Sequence, residues 1–492
     1  MMRFNNSNDL KYPEDLLSII RNGLSPKKKD KHILIAGAGM AGLVTGSLLK
    51  QAGYRITIIE ANNRIGGRIF TVRKPFTQGN YLDVGAMRIP DTHELAMAYI
   101  QKFHLSLHPF MNTSDKDFIF VNNVLTTKRY YEKHPEVLQY PLVGWEKGKT
   151  ATELLTAAIQ PFLDKYENSN QEEKNHLKQE YSRYSIGEFL KYNPLGPSLS
   201  KAAVRLIGVL LGIEGFPEFS FLDILTDIIY PIFNKETQFF EINGGNDHLP
   251  HAFLPHLASN IVFNQRIKRI YQSSEGVTFE TAHTVNGDTY LFSGDEAVIT
   301  LPFTVLQFID MIPFESVSFQ KRKAICELPS VPSIKIGMEF KHRFWETMNY
   351  GNIISDQPIR FTYPSSHQNP FNSSGVLLAS YSWGQNALLW NSVSPSQMTE
   401  MVLKDLANVY GTVVYKEFRQ SISFNWSRNP FSAGCFTLFI PGQGENFSEY
   451  IRQPEGKLHF AGEHTSNFHG WIEGAIESGI RAAYELHQGI ER

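Results

Sequence analysis

The chain has 492 residues, more than one ordinary hydrophobic core can organise, so roughly two or three domains are expected. Its 47 lysines and arginines nearly balance 49 aspartates and glutamates, which excludes a global field that would gather nucleic acid or an acidic surface. Two cysteines exclude a disulfide framework.

The N-terminal stretch MMRFNNSNDLKYPEDLL is polar and has no apolar secretory core. The most apolar windows, 202–213 and 219–233, are broken by Arg205, Asp223 and Asp227, short of the about 18 uninterrupted apolar residues of a membrane span. A cytoplasmic protein without a membrane partner is expected. Residues 13–22 predict a short amphipathic helix ended by Gly23, and the lysines at 27, 28, 29 and 31 read as a solvated linker rather than a nucleic-acid patch.

Residues 32–68 read HILIAGAGMAGLVTGSLLKQAGYRITIIEANNRIGGR. An apolar strand over 33–36 runs into Gly37, Gly39 and Gly42, spaced G-x-G-x-x-G. The first glycine permits a tight turn, the second lets backbone approach a pyrophosphate, and the third lets the helix pack on the strand. That helix offers free N–H groups at its start. Glu60 closes the next strand, 56–59, where an acid can bond a ribose hydroxyl. Strand, turn, helix, strand and acid fall in order within about 30 residues, the context a dinucleotide site requires. Gly66, Gly67 and Arg68 resemble the second fingerprint of two-domain FAD oxidoreductases. The glycines admit backbone to the cofactor, and the guanidinium can neutralise a phosphate.

Downstream, a helix is expected over 92–103 and a strand over 118–121. From 129 to about 230 the pattern turns helical, with a polar helix expected over 164–181. His248, His251 and His256 complete no familiar metal spacing, so no metal is expected. Strands are expected at 261–263, 276–280 and 296–301. Residues 333–340, SIKIGMEF, alternate apolar and polar and predict a strand. A strand at 376–381 and a helix at 395–410 follow. At the C-terminus a strand over 458–461 meets Gly462 and Glu463, and a small-residue helix starting near Trp471 offers a second N-terminus to the cofactor. Aromatic content of 13% suits large cores and an apolar ligand pocket.

GAGMAGL with EANNRIGGR, DVGAMRIP at 83–90, and FAGEHT with HGWIEGAIESG together resemble the flavin-dependent amine oxidase superfamily, and within it the L-amino-acid oxidases. RNGLSP, SIKIGMEFKHRFW and NWSRNPFSAGCFTLFIPGQ resemble further blocks of that group. The resemblance implies an α/β chain: a Rossmann-like FAD domain (32–70, 243–328, 452–492), an α+β mixed-sheet substrate domain (71–128, 232–242, 329–451), a helical subdomain (129–231) and an N-terminal helix with linker (1–31). It implies a homodimer, with a small-molecule amino acid and O2 as partners.

The resemblance also assigns residues. FAD would contact Gly37, Gly39, Met40, Ala41, Gly42, Glu60, Ala61, Gly67 and Arg68 in the first block. In the second it would contact Gly85, Ala86, Met87 and Arg88. Val262, Trp426, Gly462, Glu463, Gly470, Trp471 and Ile472 complete the set. Arg88 stands where the family grips the substrate carboxylate; planar arginine suits a carboxylate entering a dry pocket. Lys335 stands where the family holds a water near flavin N5. Trp426 and Trp471 resemble the aromatic residues beside the isoalloxazine. Tyr381, or Ser380 by a one-residue ambiguity, stands where a hydroxyl meets the carboxylate. Lys335, Arg88, Tyr381 and Trp471 are the expected catalytic residues.

Two departures from the family pattern matter. Some members carry a histidine in the helical region suggested as a base, and residues 221–233 contain none. Cys435 falls where some relatives attach FAD covalently, but a buried inert thiol is commoner, so a non-covalent cofactor is expected. The implied reaction is oxidative deamination of L-amino acids, with hydrophobic or aromatic side chains preferred, giving a 2-oxo acid, ammonia and hydrogen peroxide. The alternatives are a monoamine or polyamine oxidase, an amino-acid 2-monooxygenase, and a non-catalytic FAD-binding protein.

Overall fold

The computed structural model describes residues 10–26, 30–234, 236–348, 351–365 and 373–489. Lys27, Lys28 and Lys29 of the expected linker lie outside them. A five-stranded parallel sheet is ordered Ile261–Val262, Arg55–Ile59, His32–Ala36, Glu296–Ile299, Leu458–Phe460. Parallel sheets are covered on both faces, which is why these strands are nearly continuous apolar runs with Ile33, Leu34, Ile35 and Ala36 fully buried. Helices Met40–Gln51 and Ile472–Gln488 lie against each other, joined where Thr45 Oγ1 donates to Gly479 O at 2.9 Å. The first and last parts of the chain therefore share one core.

A seven-stranded mixed sheet is ordered Phe418–Asn425, Ser333–Phe340, Gly375–Trp383, Phe361–Pro364, Ile353–Ser355, Phe118–Val121, Val124–Thr127. The expected strand at 333–340 forms and is buried at all eight positions. One face packs in the same cluster as helix Pro395–Tyr410, while the other meets Phe76, Leu82 and Val84. Its two charged residues find partners on that second face: Glu339 accepts from Thr77 and Asn80, and Lys335 donates to backbone.

A small antiparallel sheet joins Ile89–Pro90 to Phe239–Ile242 and Leu107–Pro109. Its pairings had no short-range sequence signal, yet they bring residues 88, 112 and 239 together. Another sheet is ordered Thr289–Gly294, Val277–His283, Gln265–Gln272, Asp310–Ile312.

The helical region packs Phe162, Phe189 and Phe221 into one core, the last two stacked at 3.6 Å. Residues 164–181 form two elements, not one. Helix Ala151–Glu167 ends, and Asn170 opens Gln171–Tyr181 through a reciprocal bond with Glu173. Phe221–Asp223 continues into a π-helical segment, Ile224–Ile229, and then Tyr230–Phe233. Among the described residues, no helix is long and apolar enough to cross a membrane.

Candidate active site

A cavity of about 880 Å³ runs from the glycine turn to the seven-stranded sheet and the helical region. At its first end Gly37 has φ +104°, a conformation that favours glycine, and a Cβ on Gly42 would collide with Gly37 O. Gly39 starts helix Met40–Gln51 with no side-chain cap, so its first N–H groups are left for a ligand. Gly39 bridges to Gly66, and a Cβ on Gly39 would find only Gly67 Cα, at 4.0 Å. The second helix, Ile472–Gln488, likewise starts uncapped at Trp471, and both starts line the cavity. Two open helix starts on a glycine-lined wall fit a dinucleotide pyrophosphate.

Glu60 accepts Ala38 N at 2.7 Å and Asn62 N at 2.8 Å, so the expected ribose ligand also fixes the turn. Burial raises its pKa, against the opposing pull of those N–H groups. Arg68 lines the cavity, as a cofactor contact would, and is also tied to the protein. Its guanidinium donates to Glu463 at 2.6 Å and to Cys435 O at 3.1 Å. Burial works against the Glu463 charge, but Arg68, His464 and His469 outweigh it and hold the carboxyl below its ordinary range. Glu463 also accepts Gly470 N at 2.9 Å, which secures the turn before Trp471.

At the other end stand Arg88, Tyr381, Trp426 and Trp471. Arg88 donates to Asn112 Oδ1, bonds the Tyr363 side chain, and lies 5.6 Å over the Phe239 ring. Tyr381 is on the wall, whereas Ser380 is fully buried and not on it. Burial raises the pKa of both Tyr363 and Tyr381, so both phenols remain hydrogen-bond donors at neutral pH. Trp426 Nε1 donates to Val84 O and Trp471 Nε1 to Asp227 O, each at 2.8 Å, which fixes both indoles.

Lys335 lies one layer behind the wall. Its Nζ donates to Gly85 O at 2.6 Å and Asp83 O at 3.0 Å and sits 4.6 Å over the Tyr381 ring. Burial lowers its pKa to about 7, with Cys435 and Asp83 opposing. Gly42 and Val262 are also off the wall. Gly42 packs under Gly37, and Val262 O accepts Glu60 N at 2.9 Å, so each shapes the site from behind. The remaining expected cofactor contacts, Met40, Ala41, Ala61, Gly67, Gly85, Ala86, Met87, Gly462, Gly470 and Ile472, all line the cavity. Burial pushes the Cys435 thiol up to about 11.

Sequence reasoning missed Asn112, Tyr363, Phe239, His93 and Trp383 on the wall. Their strands and loops become neighbours only through sheet pairing, which leaves no local signal. It also missed His469, buried beside Asp223 and Asp227, the one grouping of three potential metal-ligand side chains found among the described residues. Asp223 accepts Phe439 N at 2.5 Å, and Asp227 is bonded by the His469 backbone, so the acids serve to tie loops together.

Residues 40–487 match the family model of flavin containing amine oxidoreductases. YobN of Bacillus subtilis (strain 168), which carries a provisional L-amino-acid oxidase name, is 42% identical over 96% of this chain and 98% of its own. The L-amino-acid oxidase of Siganus canaliculatus is 36% identical over 96% of this chain and 89% of its own, and that of Vipera ammodytes ammodytes 31% over 97% of each. Among solved structures, cyclohexylamine oxidase from Brevibacterium oxydans IH-35A shares the fold. Its TM-score is 0.74 at 20% identity, over 94% of this chain and 100% of that one. Putrescine oxidase bound to putrescine matches with TM-score 0.70 at 15% identity, over 94% and 99%. The chain belongs to the flavin-containing amine oxidoreductases. It is an FAD-dependent enzyme, and its small-molecule substrate and O2 are its reactants.

Proposed function

We propose that this enzyme oxidatively deaminates L-amino acids with hydrophobic or aromatic side chains, giving a 2-oxo acid, ammonia and hydrogen peroxide. The observation that carries the reading is Arg88: it faces the cavity, and its partners Asn112, Tyr363 and Phe239 are all neutral. A guanidinium left without a counter-charge in a largely apolar cavity is a receptor for a carboxylate. An amine oxidase acting on simple amines has no carboxylate to hold.

The redox chemistry would be supplied by bound FAD, as acceptor of a hydride and donor of electrons to oxygen. The uncapped starts of helices Met40–Gln51 and Ile472–Gln488 would hold its pyrophosphate, Glu60 its ribose, and Trp426 and Trp471 its ring system. Arg88 binds the substrate carboxylate in bidentate fashion, and the Tyr381 hydroxyl donates to the same group. Ile228, Ile232, Phe216 and Trp383 surround the side chain and exclude water. Lys335 holds the backbone at 83 and 85 with two N–H groups and lies over the Tyr381 ring, which fixes the wall from behind. The amine must be neutral to release hydride; residues 221–233 supply no histidine to take its proton, which passes to solvent or to another group of the protein. The same reading takes the enzyme as a cytoplasmic homodimer.

A peroxide-coupled screen of L-amino acids beside simple amines, run on wild type and Arg88→Ala, tests the reading. Turnover of hydrophobic and aromatic L-amino acids, lost in Arg88→Ala, is expected. Activity confined to amines and indifferent to Arg88 overturns it in favour of a monoamine or polyamine oxidase.

A further inference from the structure

We propose that Asn112 is a positioning residue that determines substrate class: its neutral amide aims Arg88 while leaving the guanidinium charge unpaired for a carboxylate. The inference rests on the reading that Arg88 receives that carboxylate.

Other arginines of the same structure show the alternative. Arg68 meets Glu463 at 2.6 Å, Arg73 meets Asp247 at 2.7 Å, Arg360 meets Glu214 at 2.9 Å, and Arg481 meets Glu485 at 3.1 Å. Each charge is answered within the protein. Arg88 has no carboxylate partner among the described residues, and the group that orients it is an amide oxygen. An amide oxygen fixes a guanidinium almost as well geometrically but does not cancel its charge.

The amide cannot turn over. Asn112 Nδ2 donates to Ile232 O at 3.3 Å while Oδ1 accepts from Arg88. A carbonyl only accepts and a guanidinium only donates, so both neighbours dictate the same orientation. Ile232 itself lines the cavity, so one side chain ties the carboxylate receptor to the wall facing the substrate side chain. The backbone is held as firmly. Asn352 Nδ2 donates to Met111 O at 3.2 Å and Asn112 O at 3.1 Å.

The nearby acid is kept from Arg88. Asp117 accepts Thr113 Oγ1, Ser114 N and Ser114 Oγ at 2.8 to 2.9 Å, and Asn352 N at 2.9 Å. Four donors satisfy its carboxylate, and it is linked to the guanidinium only through a run of bonds by way of Asn352 and Asn112. An aspartate at 112 would pair with Arg88 and would place a second oxygen against Ile232 O.

The test titrates benzoate, a carboxylate with no amine to oxidise, into the FAD-loaded enzyme and follows the flavin absorbance. Asn112→Asp is expected to weaken benzoate binding about a hundredfold, because a built-in carboxylate competes for the same guanidinium. Asn112→Leu, uncharged and of similar size, is expected to weaken it about tenfold by releasing Arg88 from its orientation. KM for L-amino acids should rise by like factors and kcat change less. Flavin content reports folding; where Asn112→Asp fails to retain FAD, Asn112→Leu alone decides. If Arg88→Ala abolishes benzoate binding while both Asn112 variants bind within twofold of wild type, the role of Asn112 is overturned. If Arg88→Ala leaves benzoate affinity unchanged, the carboxylate reading itself fails.

Discussion

Arg68 and Glu463, 395 residues apart in sequence, meet in a 2.6 Å ion pair on the wall of the cavity. The pair closes the glycine turn at 66–67 onto the strand-to-helix loop at 462–470, two backbone segments that face the same cofactor. Both bonds use one nitrogen of the Arg68 guanidinium, so its other N–H groups still face the cavity. The role of the pair is to fix the distance between two pieces of backbone.

Removing one side of such a pair therefore has unequal effects. Arg68→Ala takes the bonded counter-charge from the buried Glu463 carboxylate and leaves it only the unbonded His469 cation, a change whose cost approaches that of a broken buried pair, about 3–5 kcal/mol. Glu463→Gln keeps an oxygen for Arg68 or for Gly470 N and should cost less. The expected outcome is a lower thermal midpoint and faster FAD loss on dilution for Arg68→Ala than for Glu463→Gln. Equal midpoints and equal FAD retention would contradict a structural role for the pair.

The two thiols should separate cleanly. Cys326 is exposed, whereas burial pushes Cys435 up to about 11, leaving almost no thiolate at pH 8. One equivalent of thiol should react with a disulfide reagent in the native holoenzyme and a second only after unfolding. Acid precipitation should leave a yellow supernatant, as a non-covalent flavin requires. A yellow pellet and a missing second thiol would instead mark a bond to Cys435.

The parallel sheet and its cofactor turn were legible because their physics is local. Strands covered on both faces are apolar throughout, and a turn with φ +104° at Gly37 selects glycine. Helix Pro395–Tyr410 was readable to the residue, with Ser394 and Gln397 forming its capping box. The break at 168–170 had the same kind of signal in Asn170 and Glu173 but was read through as one polar helix. The strand at 333–340 was legible from its alternation, but the packing of both its faces was not. Lys335 and Glu339 do point opposite to Ile334 and Met338, but into a second packed layer instead of water. Asn112 was invisible for a different reason. It owes its place to pairing between 107–109 and 239–242, and its meaning to a guanidinium 24 positions away.

The buried His469 gives the molecule a pH dependence of known sign. Burial disfavours its charge, but Asp223, Asp227 and Glu463 outweigh that and raise its pKa to about 9, above the ordinary 6.5. The folded protein thus holds a proton between those values that the unfolded chain has released. The stability His469 contributes is full below pH 6.5 and is lost as pH rises through 9. The thermal midpoint of wild type should exceed that of His469→Gln most at pH 6, and the gap should narrow by pH 10. A gap that stays constant across that range would mean that the ring packs but carries no charge.

The wall that surrounds the substrate side chain depends on a distant contact. Arg360, at φ +55°, and Glu214 approach to 2.9 Å, with Arg205 on the same carboxylate at 3.3 Å. The Arg360 N–H does not point along that line, so the attraction is Coulombic more than a formed hydrogen bond. It joins the 213–215 turn of the helical region to the strand Phe361–Pro364. Gly212, Phe361 and Trp383 of the cavity wall lie beside that junction, and a Cβ on Gly212 would stand 3.1 Å from Phe361 Cζ. Glu214→Gln removes the charge with little change of shape, leaving the largely buried Arg360 only Asn386 and the weaker influence of Asp356. We expect a loss of about 3 kcal/mol of stability. We also expect KM to rise several-fold for L-phenylalanine and little for L-alanine, since only a large side chain reaches the wall. Equal KM changes for the two substrates would show that the junction does not shape the pocket.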